Sequence, residues 1–294
     1  MTCPKRNRAL IIVNYQFLWA KEEFRPRMGA RREADKLVKA LSKCNYDVRL
    51  FLDLTAKEIE DVYKEDRGCK TGGPWARCVM RKPRPSQLCK GRKRGESRAE
   101  HGKCFVSILS SHGEDGCIMD CQGQALKLTR IYNILSSERC PHLAGKPKIF
   151  FIQACRGNRF DDGIYLETDS APEEDCFSHY LSIPESTAVM FSCSPGYVSF
   201  SNQWESMFLK ALLEVLEGEE RKLKVNKLMT WINWKVAFLC EAKGTVYKGK
   251  KEMPCFVTNM VEKVYPFKQD RECSDYPDHS NPTNTIQSSV HDAI

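Results

Sequence analysis

The stretch that decides the reading is Lys148-Ile149-Phe150-Phe151-Ile152-Gln153-Ala154-Cys155-Arg156-Gly157. Its first half is a short apolar run of β-formers, bounded upstream by Gly145 and Pro147. Such a run, apolar without alternation, reads as a strand covered on both faces inside a parallel sheet. Cys155 then stands where the strand passes into a loop, at the carboxyl edge where open α/β sheets bind ligands. A lone cysteine is most often a small buried hydrophobe. A second apolar run, Cys104-Phe-Val-Ser-Ile-Leu-Ser110, delivers Ser111-His112-Gly113 at its end, with His112 43 residues before Cys155. A thiol becomes a good nucleophile when a histidine takes its proton, and the imidazolium so formed lowers the thiol pKa. If the two strands are neighbours, His112 and Cys155 meet at one edge as base and nucleophile. The N–H groups of Gly113 and Cys155 then form an oxyanion hole there.

Outward from these two runs, strands and helices alternate. Residues 8–15 and 46–51 read as strands, and Thr187 to Cys193 and Pro254 to Asn259 as two more. Ala34, Leu37, Val38 and Leu41 fall at helical spacing. Thr55-Ala-Lys-Glu58 is a capping box opening a helix to about Glu65. Further helices are expected over 127–138, from about Gln203 to Leu216, and from about Lys224 to Ala242. The pattern predicts an α/β three-layer sandwich, a mainly parallel central sheet with helices on both faces.

Residues 66–98 break the pattern. They hold eleven Lys/Arg and two Asp/Glu, out of 46 and 38 in the chain, so the net +8 belongs to this segment and the remainder is slightly acidic. A basic pI therefore does not argue for nucleic acid as a partner. The segment reads as a surface insertion, and Lys90-Gly-Arg-Lys-Arg94 is a weak nuclear-targeting candidate. No apolar run approaches the ~20 residues of a membrane span. The Ala9–Val13 run is too short for a secretory signal, which points to a cytoplasmic setting. Fifteen cysteines, an odd number without paired spacing, are expected as reduced thiols, and no metal or cofactor is called for. Arg159 to Pro184 is an acidic linker by composition, and 268–294 reads as a polar tail.

The strings Ser111-His112-Gly113 and Gln153-Ala154-Cys155-Arg156-Gly157 are specific, and they resemble the caspases, in particular the short-prodomain effector type. Ile183-Pro184, Ser194-Pro195-Gly196-Tyr197 and Pro254-Cys255 follow in the family's order, and the resemblance runs from about Arg8 to Phe267. It implies an Asp-directed cysteine endopeptidase acting in apoptosis-type signalling. The protein would be made as a zymogen, cut by an upstream initiator caspase, and dimeric. The implied division is a peptide 1–7, a large-subunit region 8–169, a linker 170–183, a small-subunit region 184–267 and the tail. By the same resemblance Cys155 is the nucleophile, His112 the base, and Gly113 and Cys155 the oxyanion donors. Arg27 and Gln153 bind the acidic P1 side chain, Phe200 walls the P2 pocket, and Asp169, in Leu166-Glu167-Thr168-Asp169-Ser170, is the activation cleavage site.

The chain departs from the family in one place that matters. Ser201 stands where the family has an arginine that holds the P1 carboxylate and the substrate backbone, and Met207 where it has a P4-shaping tryptophan. One P1 arginine in place of two is expected to weaken substrate binding. Two functions follow: an active executioner-type protease, favoured by the intact His112/Cys155 pair, or a caspase-like regulator that binds caspase partners and turns over poorly.

Overall fold

The computed structural model describes residues 6–17, 24–66, 102–158, 182–200, 205–239 and 249–269. Asp169, Ser201, Trp204, the insertion after residue 66, most of the linker and the tail after residue 269 lie outside the described residues. The apolar runs do form the sheet. β1 (Asn7–Val13), β2 (Tyr46–Leu52), β3 (Phe105–Ser110), β7 (Lys148–Gln153) and β8 (Thr187–Phe191) run parallel, and β9 (Cys255–Thr258) closes the order β2-β1-β3-β7-β8-β9 antiparallel to β8.

Period-2 alternation sends each strand's side chains to two separate cores. Ala9, Ile11 and Val13 of β1, with Ile149 and Phe151 of β7, pack under α1 (Ala30–Lys43), α4 (Met207–Glu217) and α5 (Val225–Leu239). Leu10, Ile12, Phe150 and Ile152 face the other way, onto α2 (Ala56–Asp66) and α3 (Leu128–Ile134). Helices therefore cover both faces, which is the three-layer sandwich the sequence pattern predicts. Burying both faces is why β1, β3, β7 and β8 carry no polar alternation, whereas β2 at the sheet edge alternates, with Asp47 exposed. Ser107, a hydroxyl in the middle of β3, is satisfied by the Tyr63 hydroxyl of α2 at 2.6 Å. The capping box is present as read, with the Glu58 carboxylate accepting the Thr55 N–H at 2.8 Å and the Thr55 hydroxyl accepting the Glu58 N–H at 3.4 Å.

Several boundaries differ from the sequence reading. The helix expected over 127–138 ends at Ile134, where the Ser136 hydroxyl takes the Asn133 carbonyl and Leu135 N–H turns back to Tyr132. β8 stops at Phe191, two residues early, because the Ser192 hydroxyl bonds the Ala154 carbonyl across to the neighbouring loop. α4 begins at Met207, with the Ser206 side chain capping it by accepting the Leu209 N–H. A small antiparallel sheet, β4 (Gly113–Glu114), β5 (Cys117–Met119) and β6 (Ala125–Lys127), follows His112. Strands of two or three residues give no periodicity to read. Among the described residues no helix is long and apolar enough to cross a membrane.

Candidate active site

β3 and β7 are neighbours, with Ser110 paired to Gln153 at the last rung. His112 and Cys155 each lie two residues beyond that rung, so the register alone carries both to the same edge. Gly113 brings the two loops into contact. A Cβ on it would lie 2.8 Å from the Ala154 Cβ and 3.1 Å from the Cys155 carbonyl oxygen. That approach sets the Gly113 backbone beside Cys155, as an oxyanion hole built from their N–H groups requires.

His112 Nε2 donates to the Arg25 carbonyl at 2.9 Å, which fixes the tautomer and leaves the Nδ1 lone pair as the basic site. Its ring lies against Phe17 at 4.8 Å and Phe24 at 5.3 Å between centroids. Burial lowers the imidazole pKa; the Arg25 carbonyl opposes this, and the Arg27 charge adds to it. The imidazole is therefore neutral at pH 7. Burial also raises the Cys155 thiol; the Ser199 N–H and Arg27 oppose this, while Glu252 adds to it. At rest the thiol and the imidazole are thus both neutral. Ser199 covers the sulfur, its N–H 3.4 Å and its carbonyl 3.8 Å from Sγ.

Arg27 comes from the segment before α1 and is anchored by its own N–H on the Tyr15 carbonyl. Its guanidinium donates to the Asn14 carbonyl at 3.2 Å and to the Ser110 hydroxyl at 2.9 Å. Desolvation lowers its pKa, with Glu33 and Cys155 opposing. Ser110 and Gln153 share a rung, so Arg27 and Gln153 lie on one side of the same edge. Gln153 Nε2 donates to the Ser199 hydroxyl at 2.6 Å, and its Oε1 is buried without a partner among the described residues. A desolvated guanidinium and a buried amide on one side of a sheet edge can together hold a carboxylate. Phe200 is half-buried next to Ser199, and Met207 is half-buried at the start of α4.

Two loops hold this edge together. The Arg156 N–H donates to the Tyr197 carbonyl at 2.9 Å, and the Gly196 N–H donates to the Arg156 carbonyl at 2.8 Å. The buried Arg156 guanidinium pairs with Asp115 at 2.7 Å, donates to the Cys193 carbonyl and stacks on Phe191. Gly157 has φ +152°, and a Cβ there would lie 2.3 Å from the Gly196 carbonyl oxygen. Gly157→Ala is therefore expected to cost about 1–3 kcal/mol, a fall of about 2–4 °C in Tm per kcal/mol for a chain of this size. Thermal melting checks it, and an unchanged Tm would show the two loops to be further apart.

Asp115, Asn14, Ser110, Phe17, Phe24, Ser199 and Glu252 were not read from the sequence as site residues. Glu252 follows Lys250-Lys251 and passes for a solvated charge, yet it is 1% exposed. Only Asp115 had a visible signal, an acid close after His112-Gly113 with an arginine directly after Cys155.

The sequence pattern of the caspase domain family, peptidase C14, matches residues 6–74 and 75–265. Bovine (Bos taurus) Caspase-3 is 29% identical over 270 residues, covering 90% of this chain and 86% of its own. Chicken (Gallus gallus) Caspase-7 is 29% identical over 264 residues, covering 87% and 75%. The crystal structure of Caspase-1 from Spodoptera frugiperda superposes with a TM-score of 0.66 at 25% identity, over 86% of this chain and 88% of the other.

Proposed function

Since this chain belongs to the caspase family, we propose that it is a cysteine endopeptidase that cleaves protein substrates after aspartate. The observation that carries this reading is Arg27 and Gln153 on one side of the edge that also holds Cys155 and His112. In the reaction, the P1 carboxylate is held by Arg27 and by the second N–H of Gln153 Nε2, the first staying on the Ser199 hydroxyl. His112 Nδ1 takes the Sγ proton as sulfur attacks the scissile carbonyl, and the N–H groups of Gly113 and Cys155 receive the developing oxyanion. Collapse expels the amine, which takes the proton from the imidazolium, and leaves a thioester. His112 then activates water to release the P1 acid and restore the thiol.

Regulation follows the same reading. The covered, neutral thiol is what a zymogen presents, and an initiator caspase cutting at Asp169 would separate 8–169 from 184–267. β9 ends the sheet, and Val261 just beyond it is 97% exposed, an edge suited to a second copy of the chain. Action in the cytoplasm, in apoptosis-type signalling, completes the proposal.

The test is turnover of fluorogenic tetrapeptides with Asp, Glu or Asn at P1, by protein cut at Asp169. Asp is expected to be preferred, with a raised KM because Ser201 replaces an arginine. A protein that cleaves none of them while Cys155 still reacts with small alkylators is instead a caspase-like regulator.

A further inference from the structure

The Glu252 carboxyl lies behind the site, where the mechanism above does not use it. Its Oε1 meets the Ser199 hydroxyl at 2.9 Å and its Oε2 accepts the Phe200 N–H at 2.9 Å. Ser199 in turn accepts from Gln153 Nε2 at 2.6 Å and covers the Cys155 sulfur. One carboxyl therefore fastens the segment that touches both the nucleophile and the candidate P1 glutamine. Glu252 is 1% exposed. A buried carboxylate with no ion pair among the described residues is costly, and a neutral acid avoids that cost.

We propose that Glu252 is a positioning residue that sets Ser199 and Phe200 across the acidic-residue pocket, and that it does so as a neutral acid whenever the pocket holds a carboxylate. This rests on the Asp-pocket reading above. Both protonation states fit the hydrogen bonds. As a carboxylate, Glu252 accepts the Ser199 hydroxyl proton. As an acid, its own O–H donates to Ser199 Oγ while Oε2 still accepts from Phe200. The second state puts no charge beneath a pocket meant for a second carboxylate, and two carboxyl groups at close quarters do not both ionise readily. Burial raises the Glu252 pKa to about 8, against the lowering effect of the Phe200 and Ser199 hydrogen bonds. Its charge acts on Cys155 at the end of β7 and on Cys193 beyond β8, and the Arg27 charge acts on Cys155 in the opposite sense. Lys250 and Lys251 flank it on its own segment.

The sign is fixed by this arrangement. Below pH 8 Glu252 is neutral and an acidic P1 residue is accepted; above it the carboxylate repels that residue. A neutral P1 residue feels no such repulsion. Glu252→Gln keeps one acceptor for Phe200 and one N–H donor for Ser199, and so copies the neutral acid at every pH.

The experiment measures binding of labelled tetrapeptides ending in Asp or Asn by anisotropy from pH 6.5 to 9.5. It uses the full chain cut at Asp169, as wild type, Glu252→Gln and Glu252→Ala, with KM and kcat for the Asp substrate alongside. The ratio of Asp to Asn binding cancels the titration of His112 and Cys155, which both peptides share. In wild type that ratio is expected to fall above pH 8, approaching tenfold per pH unit for one proton, with the loss in KM rather than kcat. In Glu252→Gln the ratio should be flat. Glu252→Ala should weaken both peptides alike, and Glu252→Gln should bind both as the wild type does at pH 6.5. A flat ratio in wild type, or a fall that persists in Glu252→Gln, overturns this role and leaves the Asp pocket standing. Equal binding of the Asp and Asn peptides at pH 6.5 overturns the pocket itself, and Glu252's role with it.

Discussion

Cys155→Ala is expected to reduce turnover of an Asp-terminated tetrapeptide by at least about 10³-fold, because removing the nucleophile leaves only binding and the oxyanion donors. The companion measurement is labelling. A halomethyl ketone carrying an aspartyl group should modify Cys155 and none of the other fourteen cysteines. The selectivity does not come from an acidic thiol, since burial raises the resting Cys155 pKa. On the proposed reading it comes from placement: Arg27 and Gln153 would hold the aspartyl group where the reagent's carbon meets Sγ, with His112 as base. Cys44, Cys104, Cys140 and Cys193 are buried in the fold, and Cys104 and Cys121 are held at about 12 and about 11. Peptide mapping that found the label spread over several cysteines, or missing from Cys155, would sink the protease reading.

Arg27→Ala should cost about 2–5 kcal/mol of transition-state binding for a P1 aspartate, or about 30- to 4,000-fold in kcat/KM. The change removes the guanidinium and also strands the Asn14 carbonyl and the Ser110 hydroxyl that it now satisfies. Stability alone is therefore an ambiguous readout, and the Asp-to-Asn ratio of kcat/KM is the informative one. That ratio should collapse in Arg27→Ala and be partly kept in Arg27→Lys, which retains charge but loses the planar fork. A ratio equal to wild type, in a variant that melts normally, would move the carboxylate site elsewhere.

The sheet was legible because its inner strands are covered on both faces, so runs such as Lys148 to Ile152 carry the signal without tertiary context, and because the edge strand β2 alternates. His112 and Cys155 were legible for the same reason: each sits at the end of such a run, and a parallel register places the two ends side by side. What was hidden depends on contacts between residues far apart in sequence. Glu252 lies 53 residues from Ser199, and Phe17 touches His112 across most of the large region. The two- and three-residue strands after His112 fall below the length at which a period exists. α3 ends where a serine hydroxyl takes a helix carbonyl, a competition that propensity alone does not decide.

β8 lies between β7 and β9, so the link between Cys155 and the second half of the chain is a seam through the sheet's interior rather than at its rim. Opening the chain between 158 and 182 breaks none of the ladders among the described residues: the five pairs from Lys148–Thr187 to Ile152–Phe191 remain, as does the two-bond tie between Arg156 and the 196–197 turn. What changes is molecularity. The intact chain finds β8 by an intramolecular search, whereas the cut chain, once unfolded, must recapture it from solution as a second molecule. A protein cut in this way is assembled once, during synthesis as a single chain, and afterwards persists through the slowness of its own dissociation.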